Sequence, residues 1–165
     1  MKQVFLGLGA NLGSRERNIH QAITKLEEKG NRVLSLSPLY ETEPWGIKEQ
    51  PRFLNAACLI ETPYSPQALL KVLKTIEKEM GRVPTVRYGP RPIDLDILFY
   101  DMLCLCSSDL IIPHPGTLER ATVLVPLADI APHLKHPLTE QSISEHLAQL
   151  GPASGIAPYP PGLSS

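Results

Sequence analysis

The sequence predicts an α+β, ferredoxin-like domain in the order β-α-β-β-α-β: an antiparallel sheet core with two helices on one face, an added hairpin and C-terminal helices. Three observations predict it. Short apolar runs begin near Gln3, Arg32, Phe53 and Ile93. Two of the segments between them repeat apolar residues at helical spacing, and glycine, proline or capping residues punctuate the joins.

Each element follows in turn. Gln3–Leu8 is an apolar run stopped by Gly9, with a turn at Asn11, Gly13 and Ser14. Ile19, Ala22, Ile23 and Leu26 recur at i, i+3, i+4 and i+7, one face of a helix ended by Gly30. Arg32–Tyr40 alternates at Leu34 to Ser37 and closes near Pro38 as a second strand. Glu41–Arg52 lacks periodicity and reads as a surface loop, and Phe53–Thr62 as a third strand. Ser65 and Pro66 supply a cap and a first-turn proline for a helix carrying Leu69, Val72, Leu73, Ile76 and Met80, with Gly81 just past its end. A loop over Arg82–Pro92 precedes a fourth strand, Ile93–Tyr100. A hairpin over Leu103–Ile112, a short helix near Leu118, an apolar stretch over Val123–Ile130 and a helix opened by the Ser142/Glu145 capping box complete residues 1–150 as a single domain. Residues 151–165, rich in proline and glycine, read as an irregular tail.

Composition excludes several classes. Sixteen Lys plus Arg against seventeen Asp plus Glu give a net charge of −1, which argues against a duplex nucleic-acid binder. The first twenty residues include Arg15, Glu16 and Arg17 and hold no long apolar run, so neither a signal peptide nor a membrane span is expected. Cys58, Cys104 and Cys106 sit among apolar neighbours and read as reduced, buried residues of a cytoplasmic protein. The CxC lacks a second ligand pair at metal spacing. Gly7, Gly9 and Gly13 are one residue too long for GxGxxG and serve close backbone packing, and no P-loop motif is present. His20, His133, His136 and His146 read as surface or capping residues, without a Ser-His-Asp arrangement.

Asp94 and Asp96 carry the strongest chemical signal. At i and i+2 of a strand they share one face, with Cα atoms about 6.6 Å apart, while Ile93, Leu95 and Ile97 face the core. Such a pair can hold two hard cations. A lone DxD would be a solvated strand face, but Arg82, Arg87 and Arg91 lie just before it with no acid between Met80 and Ile93. His114 and Arg120 follow. Arginine forks suit phosphate oxygens, and arginines beside paired aspartates are coherent if metals and a polyphosphate lie between them. Trp45, Phe53 and Asn55 could sandwich and read a flat heterocycle.

With these residues placed, the chain resembles the 6-hydroxymethyl-7,8-dihydropterin pyrophosphokinases of folate synthesis. The likeness rests on GLGANLGS near the start, Thr42 with Pro44 to Gly46, FLNAA from Phe53, GRV from Gly81, RYGPRPIDLDIL from Arg87, PHP from Pro113, Glu119-Arg120 and VPLADIAP from Val125. The resemblance implies pyrophosphate transfer from ATP to the pterin hydroxymethyl group, releasing AMP. It implies two Mg²⁺ ions on Asp94 and Asp96, and catalysis by these two with Arg82 and Arg91. Glu77, Arg82, Arg87, Arg91, Ile97, His114 and Arg120 would bind ATP. Thr42, Trp45, Phe53, Asn55, Asp94 and Thr122 would surround the pterin. The same likeness implies a monomer acting on small molecules, with other folate enzymes as neighbours. Tyr88, Pro84 and Thr122 stand where the family commonly carries tryptophan, arginine and phenylalanine.

Two other readings compete. A nucleotidyltransferase would need a Gly-Ser pair on a helix ahead of the aspartates, where this chain has Arg91-Pro92. A nucleotide-binding module without turnover is opposed by the intact Asp94, Asp96, Arg82 and Arg91.

Overall fold

A computed structural model describes residues 1–44, 49–81 and 90–160. Its elements run β1 (Lys2–Ala10), α1 (Arg15–Glu28), β2 (Arg32–Leu36), β3 (Leu39–Thr42), β4 (Phe53–Thr62), α2 (Pro66–Glu79) and β5 (Asp94–Tyr100). They continue with β6 (Leu105–Cys106), β7 (Ile111–Ile112), α3 (Ala121–Ile130), α4 (Ile143–Leu150) and β8 (Ile156–Tyr159), with a 3₁₀ turn over Thr117–Glu119. The main sheet is ordered β5-β1-β4-β3-β8, and β2 also pairs with β4. All its ladders are antiparallel, and β6–β7 is the separate hairpin.

Both helix signals hold for local reasons. The Ser65 hydroxyl accepts the Ala68 N–H at 3.2 Å with Pro66 behind it, and Gly81 takes φ +90 past the end of α2. Ser142 and Glu145 form both bonds of the capping box. Helices α1 and α2 bury Ile19, Leu26, Leu69, Leu73 and Ile76 against one sheet face, beside Leu6, Ile60 and Leu95.

Five expectations need correction. The second strand is two strands, because Pro38 has no N–H to give the ladder. Ser37 bridges the break: its N–H donates to the Ala57 carbonyl at 2.8 Å and its hydroxyl accepts the Ala57 N–H at 2.9 Å. Glu41 and Thr42 therefore belong to β3 rather than to the loop after it. The tail is not irregular throughout, since Ile156–Tyr159 pairs with β3. Cys104 and Cys106 are exposed, because they alternate with Leu105, which packs on the core beside buried Leu110 and Ile112, whereas Cys58 is buried. His136 is buried, edge-on to Phe99 at 5.6 Å between ring centroids, its Nδ1 accepting the Leu138 N–H.

The second sheet face is covered as well. The apolar stretch at Val123–Ile130 lies within α3, which packs Leu124 and Leu127 with Ile143 of α4 over Phe5, Ala57, Leu98 and Phe99. Leu98 and Phe99 both reach this layer because the β1–β5 register slips between Phe5 and Leu6. Among the described residues no helix is long and apolar enough to cross a membrane.

Replacing Ser37 by Ala should strand the buried Ala57 N–H and cost about 1–3 kcal/mol in urea unfolding. A stability within about 0.5 kcal/mol of the parent, the level of an ordinary surface substitution, would show that the hydroxyl does not bridge the strand break.

Candidate active site

Strand β1 is central, flanked by β4 and β5, and on one face it carries glycine twice. Gly9 lies between Asn55 of β4 and Asp94 of β5, and Gly7 between Ala57 and Asp96. The result is a trough with a backbone floor, Asp94 and Asp96 on one wall and Asn55 with Phe53 on the other. A Cβ at Gly9 would stand 2.9 Å from Asn55 Oδ1 and 3.6 Å from the Phe53 ring, so a side chain there would have to displace the Asn55 carboxamide. As alternation predicts, the two aspartates share this face while Ile93, Leu95 and Ile97 are buried in the α1/α2 core.

Asn55 is oriented from behind. Its Nδ2 donates to the hydroxyl of Thr42, which is 1% exposed, and Oδ1 lies over Gly9. Thr42 thus sits behind the carboxamide, and Thr122 and Val123, in the first turn of α3, line the trough.

Arg120, the residue preceding α3, and His114 close one end of the trough. The Arg120 guanidinium packs on Gly116, where a Cβ would be 3.3 Å from its Cζ. His114 Nδ1 accepts the Gly116 N–H at 3.2 Å, which assigns the ring proton to Nε2. Desolvation by burial, then the Arg120 charge, hold the imidazole below its ordinary pKa of 6.5, with Asp94 opposing. His114 is therefore neutral at pH 7 and offers an N–H.

A second cleft follows the outer edge of β5. Leu70 and Lys74 of α2 line one side and Ser107–Ile111 the other, with Leu95–Ile97 as its base. Asp96 and His114 line both clefts, so the two meet there. Buried Glu77 accepts the Leu95 N–H at 2.8 Å and lies 3.3 Å from Lys74 Nζ. Residues two apart on a strand turn their backbone groups the same way, so Ile97, whose side chain is in the core, faces the second cleft through its N–H and C=O.

Asn11, 1% exposed, joins three chain segments, a role that sequence reading, which gave it only a turn, missed. Its Oδ1 accepts the Arg91 N–H at 2.9 Å and its N–H donates to the Arg91 carbonyl at 3.1 Å. Its Nδ2 donates to Gln50 Oε1 at 2.8 Å and to the Pro51 carbonyl at 3.0 Å. Arg91, so fixed, sets Nη1 3.4 Å from Asp94 Oδ2. Trp45, Arg82 and Arg87, with Pro84 and Tyr88, lie outside the described residues.

Among the described residues no three His, Cys, Asp or Glu converge as a metal site. Asp94 and Asp96 nevertheless fit Mg²⁺, which binds through one or two carboxylates and completes its shell with phosphate oxygens and water. The trough suits a flat polar heterocycle, and the junction, with Arg120 and the His114 N–H and with Arg91 beside Asp94, suits a polyphosphate.

Comparison with known proteins agrees with this geometry. Residues 5–132 match the profile of the 7,8-dihydro-6-hydroxymethylpterin-pyrophosphokinase (HPPK) family. A 2-amino-4-hydroxy-6-hydroxymethyldihydropteridine pyrophosphokinase of Methylorubrum extorquens is 43% identical over 94% of this chain and 98% of its own. Folic acid synthesis protein fol1 of Pneumocystis carinii is 48% identical over 89% of this chain. The chain spans only 20% of that protein and 22% of its Schizosaccharomyces pombe counterpart. The Plasmodium falciparum HPPK-DHPS crystal structure shares the fold at TM-score 0.71 and 18% identity, over 90% of this chain and 44% of that one. The chain belongs to the HPPK family.

Proposed function

We propose that this chain transfers pyrophosphate from ATP to the hydroxymethyl group of 6-hydroxymethyl-7,8-dihydropterin, a step of folate synthesis. The observation that carries the reading is the meeting of a glycine-floored trough and an edge-strand cleft at Asp96 and His114. The pterin lies in the trough against Phe53 and Thr122, where Asn55 Oδ1 accepts one of its N–H groups and Thr42 holds that carboxamide in place. The resemblance assigns Trp45 to the same subsite. ATP follows the outer edge of β5, reading its base through the Ile97 backbone and extending its phosphates toward the junction. Glu77 acts there by holding the Leu95 amide, and so the strand between the two aspartates.

The substrate oxygen attacks the β-phosphorus in line and loses its proton, the bond from that phosphorus to the α,β-bridging oxygen breaks, and AMP departs. No protein nucleophile is required, so catalysis is positioning and charge neutralisation. Arg91, Arg120 and the His114 N–H hold the phosphates, and the resemblance assigns Arg82 and Arg87 to the same task. Asp94 and Asp96 would hold two Mg²⁺ ions, which would offset triphosphate charge that the carboxylates otherwise repel. Relatives named as bifunctional folate synthesis proteins support a neighbouring folate enzyme as partner.

Incubating the chain with ATP, Mg²⁺ and the dihydropterin should release AMP and the pterin pyrophosphate. Asp96→Ala should lower that rate by about 10²-fold or more with unchanged circular dichroism. ATP bound without AMP formed would overturn the reading, and a variant within tenfold of the parent would remove Asp96 from the chemistry.

His114 gives a pH test. Its folded pKa lies below its unfolded value, so its stabilising contribution is present above the ordinary pKa of 6.5 and is lost as pH falls through the folded value. In the free protein its NMR titration midpoint should lie below that value, and an ATP analogue should raise it, because phosphate favours the imidazolium. A midpoint indifferent to the analogue would place the phosphates elsewhere.

A further inference from the structure

We propose that β8 and Arg15 form a brace for the pterin side of the site, with Arg15 and Tyr159 as positioning residues for the acceptor substrate. The inference rests on the reading of the trough as the pterin subsite. Strand β3 has only four residues and pairs with β4 through Tyr40, Glu41 and Thr42. Left at the sheet edge, so short a strand would fray at low cost. Strand β8 covers it along its whole length, from Leu39 opposite Tyr159 to Thr42 opposite Ile156. Thr42 is the residue that orients Asn55.

The brace reaches both ends of the segment joining β3 to β4. At the departing end the Glu43 N–H donates to the Gly155 carbonyl at 3.0 Å. Gly155 has φ +71, and a Cβ there would stand 3.0 Å from Glu43 Cδ, so glycine permits the contact. At the returning end Arg15 Nη1 donates to the Arg52 carbonyl at 2.9 Å and lies 2.9 Å from Glu41 Oε2. The guanidinium is seated on the Tyr159 ring, 5.4 Å from its centroid. Tyr159 thereby couples β8 to the residue just before Phe53, as Gly155 couples it to the residue just after Thr42. One guanidinium serves a carbonyl, a carboxylate and a ring, a combination that an ammonium cannot reproduce.

The test compares Tyr159→Ser, Arg15→Gln and a chain shortened after Ser154 with the full chain. The brace predicts a KM for the dihydropterin raised roughly three- to tenfold, the worth of one hydrogen bond or cation–π contact. The KM for ATP and kcat should stay within about twofold, and amide exchange at Thr42 and Glu43 should quicken. An unchanged pterin KM despite faster exchange would overturn the proposal, because the strap would then be structural only. So would a parallel loss for both substrates with a lowered Tm, which would mark general destabilisation. Absence of AMP from the unaltered chain would overturn the pyrophosphokinase reading itself, and the positioning role that rests on it would fall with it.

Discussion

Everything around the site depends on a demand that β1 must meet twice. As a central strand it has to bind two neighbours, yet on one face it has to remain bare. Glycine at positions 7 and 9 meets the second demand and weakens the strand by having no side chain to pack. The opposite face offsets that loss, where Val4, Leu6 and Leu8 are almost fully buried against α1 and α2. The ladders to β4 and β5 then bring Asn55 and Asp94 to either side of Gly9, so register itself sets the width of the trough.

Electrostatics decide what can enter. Two carboxylates on one face repel each other and any phosphate, and among the described residues Arg91 is the cation 3.4 Å from Asp94. Its placement is backbone work: Asn11 grips Arg91 through both its N–H and its C=O, and reaches Gln50 and Pro51 with its amide. His114 stays neutral beside Arg120 and so presents a donor without adding charge in the free protein.

Local signals were legible in the sequence because their causes are local. Ser65-Pro66, the Ser142/Glu145 box and the alternation through Asp94 and Asp96 each depend on residues a few positions apart. The first six predicted elements occur in order for the same reason, with the second strand divided at Pro38. Asn11 could not be read, since its partners are about 40 and 80 residues away in sequence. Helix α3 was hidden by Pro126 in its interior and by near-continuous apolar character, which gives no period. Strand β8 was hidden by its proline and glycine neighbours, for it exists through pairing with β3 and not through propensity. The resemblance carried the assignments of Thr42 and Glu77, and the structure shows what each one touches, the Asn55 carboxamide in one case and the Leu95 amide in the other.

The central claim is that the bare face of β1 is the seat of the pterin, and Gly9→Ala tests it most directly. The added methyl would meet Asn55 Oδ1 at 2.9 Å and displace the carboxamide without touching the edge cleft of β5. Titration with the dihydropterin in the presence of a non-hydrolysable ATP analogue and Mg²⁺ is the measurement. The account predicts pterin affinity weakened by about tenfold or more, equivalent to ~1.4 kcal/mol, with affinity for the ATP analogue unchanged. Pterin affinity equal to that of the parent, in a variant of unchanged fold, would contradict it.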